Sequence, residues 1–241
     1  MMRSILPYLI LLCAPAWAWA QDVYPSVDPK ASYTTVEGEE TDDASSGQQA
    51  PLVARFTANP SDVDGWTARY EWKIFREGDN KTPIVHRFEE DLEYTFAESG
   101  TFQIQLYATF VMGNDTIAFP EEGEANPFIV NISESKLLFP NAFSPNAEPD
   151  QFNDKLKPKE YQSIIDFKAA VFTRWGQKVY SWDNIEGDWD GRWNGRLVND
   201  GVYFLVVNAK GADGKKYNIR KAITVITGYH KNDTNNGENQ P

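Results

Sequence analysis

The chain of 241 residues carries 23 Lys and Arg against 35 Asp and Glu, a formal net charge of −12, with one cysteine and eight tryptophans. An acidic chain with no stripe of Lys and Arg set beside aromatics excludes a nucleic-acid partner, and a single cysteine excludes a disulfide framework. The length fits one large sandwich or two domains of ordinary size.

Arg3 precedes an apolar run from Ile5 to Cys13, and small residues then alternate with Trp as far as Ala20. This pattern predicts a secretory signal peptide over residues 1–20, with Gln21 as the mature N-terminus. Cleavage there removes Cys13, the only thiol. No later apolar run approaches the eighteen or so residues of a membrane span, so no transmembrane segment is expected. Residues 21–50 hold seven acidic residues and one basic residue and few spaced apolar positions. They read as an acidic flexible leader.

From Leu52 the pattern becomes short and alternating. In ARYEWKIF at 68–75, Tyr70, Trp72 and Ile74 share one face while Glu71 and Lys73 share the other. In TFQIQLYATF at 101–110, Phe102, Ile104 and Leu106 alternate with Gln103 and Gln105. Period-2 alternation predicts half-buried strands. With VARFTA at 53–58, LEYTF at 92–96 and PFIVNI at 127–132, the strands predict an antiparallel sandwich over residues 51–135. Tyr70 and Trp72 are expected in its core.

The charge balance then changes, from fifteen acidic and seven basic residues in 51–136 to eleven acidic and thirteen basic in 137–229. Strands are predicted at FKAAVF (167–172), GQKVYSW (176–182), GVYFLVVNA (201–209) and KYNIRKAITVI (216–226), with at most a helical turn in KPKEYQSIID at 157–166. The polar residues 230–241 are expected to be a disordered tail. The predicted class is therefore all-β, with two antiparallel immunoglobulin-like β-sandwich domains in tandem at 51–135 and 137–229.

The residue types that carry chemistry do not assemble in the sequence. His86 and His230 belong to different blocks, which leaves no zinc set or serine triad. Asp183, Glu186, Asp188 and Asp190 lie beside Trp182, Trp189 and Trp193, a composition that a glycosidase also uses, but adjacent carboxylates among glycines are ordinary turn residues. Asp188, Asp190 and Asn194, and separately Asn146, Asp150, Asn153 and Asp154, offer hard oxygens for calcium without EF-hand spacing. Asx turns account for the same residues. No catalytic residue, metal or cofactor is expected. Trp175 is expected to be partly buried, and Trp189 and Trp193 buried or packed as a lid.

Five segments occur in a fixed order: FPNAFSPN at 139–146, FND at 152–154, FKAAVFTRWGQKVY at 167–180, WDGRWNG at 189–195 and GVYFLVV at 201–207. Together they resemble the gliding-motility-associated C-terminal domain, the type B sorting domain of the type IX secretion system of Bacteroidota. The resemblance implies a noncatalytic protein exported to the periplasm and then secreted or held at the cell surface or outer membrane, with the secretion machinery as partner. It carries over sorting recognition or domain-fold maintenance to Phe143, Pro145, Asn146, Asn153, Asp154, Arg174, Trp175, Gly176, Trp189, Asp190, Gly191, Asn194, Gly195, Gly201 and Tyr203. Phe143 and Tyr203 are expected to anchor the core.

The first block, with its EWKIF, YTF and ESGTFQIQL order, resembles the PKD-like modules that precede such domains. Asp115, Thr116 and Ile117 resemble a short O-glycosylation sequence, with Thr116 as acceptor; an ordinary hairpin turn is the other reading. An envelope protein that binds a protein or glycan partner through its sandwiches is the alternative function.

Overall fold

The computed structural model describes residues 23–121, 126–145 and 153–227. The expected signal peptide, the expected polar tail and Asn146 therefore lie outside the described residues. Among the described residues no helix is long and apolar enough to cross a membrane.

The first unit contains β1 (Ser26–Val27), β2 (Lys30–Thr34), β3 (Glu40–Thr41), β4 (Ala44–Gln48), β5 (Leu52–Thr57), β6 (Pro60–Ser61), β7 (Thr67–Arg76), β8 (Val85–Arg87), β9 (Leu92–Phe96), β10 (Gly100–Met112), β11 (Asp115–Phe119) and β12 (Phe128–Ile132). One sheet runs β3-β2-β5-β9, and a second runs β4-β12-β10-β7-β8 with β11 also on β10. The alternation predicted for β7 and β10 is realised. Trp72, Ile74, Phe102, Ile104 and Leu106 are buried, and Tyr70 packs at the margin of the same core. From the other sheet Leu52, Ala54 and Phe56 point inward, and the Phe56 and Trp72 rings meet at 5.8 Å. The Trp72 indole N–H donates to the Glu90 carbonyl at 3.0 Å, which satisfies the one polar atom this side chain brings into the core.

The acidic stretch at 21–50 is a correction. It is no flexible leader where it is described, because β2 pairs with β5 along Lys30–Thr34 and β4 lies parallel to β12. Tyr33 and Ala44 are buried in the core. Burial of Tyr33 against Phe56, with ring centroids 6.0 Å apart, ties the segment down despite its charge.

The second unit contains β13 (Lys136–Leu138), β14 (Ala142–Phe143), β15 (Glu160–Gln162), β16 (Ile164–Phe172), β17 (Lys178–Trp182), β18 (Arg192–Trp193), β19 (Arg196–Leu197), β20 (Gly201–Gly211) and β21 (Lys216–Val225). Its main sheet runs β14-β21-β20-β16-β17, with two-stranded ribbons β13-β15 and β18-β19. The helical turn allowed at 157–166 is replaced by β15 and the start of β16. Alternation buries Phe167, Ala169 and Val171 on β16, and Leu205, Val207 and Ala209 on β20. The opposing layer is not one regular sheet: Phe139, Leu156, Trp189 and Val198, from four separate segments, join these residues in one core.

Three residues, Ser133 to Ser135, separate β12 from β13, and the tip of the β20-β21 hairpin docks back onto the first unit. Ala212 joins the first core, and its carbonyl accepts the Ser99 N–H at 3.1 Å. Ser163, fully buried, accepts the Ala50 N–H on its hydroxyl at 3.2 Å. The Ser135 hydroxyl donates to the Asp213 carboxylate at 2.8 Å.

Candidate functional site

Most of the residues carried over from the sorting resemblance converge around Trp189. Its side chain is 0% exposed. Its backbone N–H donates to the Leu156 carbonyl at 3.0 Å and its carbonyl accepts the Leu156 N–H at 2.9 Å, a two-bond bridge between otherwise irregular segments. The indole N–H donates to the Arg192 carbonyl at 2.9 Å. The ring lies 5.4 Å from Phe143 and 5.7 Å from Tyr203. Edge and tilted contacts of this kind add to the area that each ring buries.

The loop after Trp189 is shaped to close this cluster. Asp190 accepts the Arg192 N–H at 3.0 Å, an Asx turn. Gly191 has φ +74° and sits against Pro145. Asn194 and Gly195, at φ +50° and +80°, turn the chain between β18 and β19. Two successive positive φ values are what a tight Asn-Gly hairpin demands. The FND and FSPN motifs also meet, since the Ser144 N–H donates to the Asn153 carbonyl at 2.6 Å. Asp154 is half-buried beside Lys155, whose ammonium pairs with Asp188 at 3.0 Å. That bond, reinforced by the nearby charges of Asp154 and Asp190, raises the Lys155 pKa.

Gly201 opens β20 opposite Val225. Two residues on, Tyr203 is only half-buried, a shallower anchor than Phe143. Its hydroxyl donates to the Asn199 carbonyl at 3.1 Å, and burial followed by the Asp200 charge raises its pKa. Among the described residues no group of three His, Cys, Asp or Glu side chains is arranged to hold a metal ion.

Arg174, Trp175 and Gly176 stand apart from this lock, at the turn between β16 and β17. Trp175 is 81% exposed, which corrects the expectation of partial burial. The turn explains why: the Gly176 N–H bonds back to the Thr173 carbonyl at 3.0 Å, and the Thr173 hydroxyl accepts the Trp175 N–H at 3.3 Å. This geometry directs the indole outward, with the Arg174 guanidinium 4.8 Å over its ring. Trp193 is half-buried against the second core. Thr116 lies exposed on β11, just past the Gly113–Asn114 turn.

Sequence reasoning missed Leu156, the backbone partner of Trp189, because its role depends on main-chain bonds that no side-chain pattern announces. It also missed an exposed apolar strip on β20. Val202 and Phe204 are 49% and 43% exposed, and Phe204 is cross-strand from Phe172.

Residues 137–225 match a family model described as the CHU_C Type IX secretion signal domain. The chain carries a C-terminal type IX secretion signal domain. The span of this signal domain takes in both the Trp189 lock and the Trp175 turn, and it marks the chain as an exported protein. No curated protein matches the chain. Among solved structures, dimeric latent PorU from Porphyromonas gingivalis is similar at 12% identity, over 84% of this chain and 20% of that one, with a TM-score of 0.24. The chain thus spans about a fifth of that protein's length, and a likeness of this degree carries no argument about its fold or activity.

Proposed function

We propose that the signal domain directs this chain across the outer membrane by the type IX route, and that it does so with two sets of residues holding different roles. Phe143, Pro145, Asn153, Asp154, Trp189, Asp190, Gly191, Asn194, Gly195, Gly201 and Tyr203 maintain the fold. Arg174, Trp175 and Gly176 form the surface that the secretion machinery reads, extended by Val202 and Phe204 on the same end of the sheet.

One observation carries this division. A domain that buries Trp189 completely leaves Trp175 81% exposed on a hydrogen-bonded turn. An exposed Trp loses the burial energy that would keep it in a purely structural role, while large rigid aromatics dominate the energy of interfaces. The stacked Arg174 holds the indole in place without covering it from all sides.

The first unit travels as cargo in this reading. Its two facing sheets and its buried Trp72 support a PKD-like, immunoglobulin-type module beginning near Tyr24, and exposed Thr116 is accessible for O-glycosylation in the periplasm of a Bacteroidota host.

Fractionating a type IX-competent host that expresses the full chain, with mass measurement of the mature ends, tests the reading. The chain is expected at the cell surface or in the medium, beginning at Gln21. Accumulation of the intact chain in the periplasm alone would count against it.

A further inference from the structure

The core of the second unit packs against one face of its main sheet. Phe167, Ala169 and Val171 of β16 and Leu205, Val207 and Ala209 of β20 point into it, so the residues between them point outward. Strand register sets the outward residues in rows. Phe172 lies between Lys178 of β17 and Phe204 of β20, and Ala222 of β21 follows Phe204. In the next row Ala170 lies between Ser181 and Val206, and Arg220 follows Val206. Phe172, Phe204, Ala170 and Val206 thus form an apolar strip, none of it fully buried, with Lys178 at one margin and Arg220 at the other. Ala170 is small, and between Phe172 and Lys168 it leaves a hollow of about 440 Å³ that Ser181 and Asn208 also line.

The charges on this face are unbalanced. Lys168, Lys210 and Lys216 add to Lys178 and Arg220, against the carboxylates of Asp166 and Asp183, in a chain whose net charge is −12. None of these cations has an ion-pair partner among the described residues, whereas Lys136, Lys155 and Arg192 elsewhere in the unit each have one. An exposed apolar strip marks a surface that is covered in use, and unpaired cations along its margins select an acidic cover. The hollow decides which kind. A lipid surface is engaged by side chains that protrude from the protein, whereas a concave strip receives a side chain that protrudes from a protein partner.

We infer that this face docks an acidic surface of a protein component of the secretion machinery, with an apolar side chain of that partner seated over Ala170 and its carboxylates on Lys178 and Arg220. The inference rests on the reading of Trp175 as a recognition residue, because the Thr173–Gly176 turn joins β16 to β17 at the Phe172 end of the same face, and it adds the chemistry of the partner.

The test expresses the full chain carrying Lys178→Glu/Arg220→Glu in a type IX-competent host and measures surface delivery by fractionation. Lys157→Glu/Lys159→Glu, at exposed lysines on either side of buried Pro158 in the opposing layer, makes the same change of net charge. Delivery should fall about tenfold or more in the first variant, where facing carboxylates repel, and stay within about twofold of wild type in the second. Lys178→Glu and Arg220→Glu taken singly give the same reading if the double variant melts early. Wild-type delivery of Lys178→Glu/Arg220→Glu beside a loss in Trp175→Ala would overturn the inference and leave the role of Trp175 standing, while wild-type delivery of Trp175→Ala would remove that role and the inference with it. An equal loss in Lys157→Glu/Lys159→Glu would reduce the effect to net charge and overturn the docking face. So would co-sedimentation of the purified mature chain with vesicles of equal phosphatidylglycerol and phosphatidylcholine, or its dimerisation, if Lys178→Glu/Arg220→Glu abolished either one, since the face would then belong to a membrane or to a second copy.

Discussion

A Cβ placed on Gly191 would stand 2.5 Å from the Pro145 Cβ and 2.8 Å from its Cγ, so the WDGRWNG loop and the FSPN motif fit together only through a missing side chain. The φ of +74° adds a second reason for glycine. Gly191→Ala should therefore destabilise the signal domain by about 2 kcal/mol or more, from left-handed backbone strain combined with the close contact. Chemical denaturation followed by tryptophan fluorescence measures this. A loss below about 0.5 kcal/mol, the range of an ordinary surface change, would show that Pro145 gives way freely.

The two tryptophans of the RWG and WDG motifs should separate stability from export. Trp189→Ala removes a fully buried indole and its bond to the Arg192 carbonyl, at an expected cost of about 3–5 kcal/mol. Trp175→Ala should change stability by no more than about 0.5 kcal/mol and yet reduce surface delivery. Melting curves of the purified variants, set beside fractionation of the host, provide both readings. Full delivery of the Trp175 variant would remove the recognition role.

This contrast marks the limit of what residue types reveal. Tryptophan at 175 and at 189 looks alike in sequence, and only the Thr173–Gly176 turn bonds, against the Leu156 bridge, send one outward and the other inward. Regular alternation made β7 and β10 legible, since period 2 with strong apolar residues has a single reading. Residues 23–50 were not legible, because their strands are short and polar and are stabilised by distant partners, β5 and β12, that local pattern does not contain. The junction between the units escaped for a related reason: Ser163 and Ala212 are small residues whose burial depends on a hairpin tip reaching another domain.

Tyr33 makes stability sensitive to alkali. Burial, with the Asp43 charge adding to it, pushes its phenol up to about 12 from an ordinary 10.0. The unfolded chain then ionises this group first, so its contribution is complete below the ordinary value and is lost as pH rises toward 12. Stability of the wild-type chain should fall over that interval more steeply than that of Tyr33→Phe. Parallel curves from denaturation at stepped pH would contradict the burial of this hydroxyl in the core.

Asp213 should act at the other end of the scale. Burial disfavours its charge, but the N–H of Lys215 and the hydroxyl and N–H of Ser135 outweigh this and hold the carboxyl below its usual range. Its contribution is therefore present above the ordinary carboxylate value and lost as pH falls through the lowered one. Unfolding between about pH 2 and 5 should show a shallower pH slope in Asp213→Asn than in wild type. Identical slopes would mean that the Ser135–Asp213 contact between the linker and the second unit adds nothing to folding.

The central claim, that the signal domain carries the chain across the outer membrane, is tested most directly by ending the chain after Lys136 and fractionating a type IX-competent host. Protease resistance of the recovered fragment shows whether the first unit stays folded without the Ala212 contact. The account predicts a folded first unit trapped in the periplasm while the full chain reaches the surface. Surface delivery of the truncated chain equal to that of the full chain would contradict it.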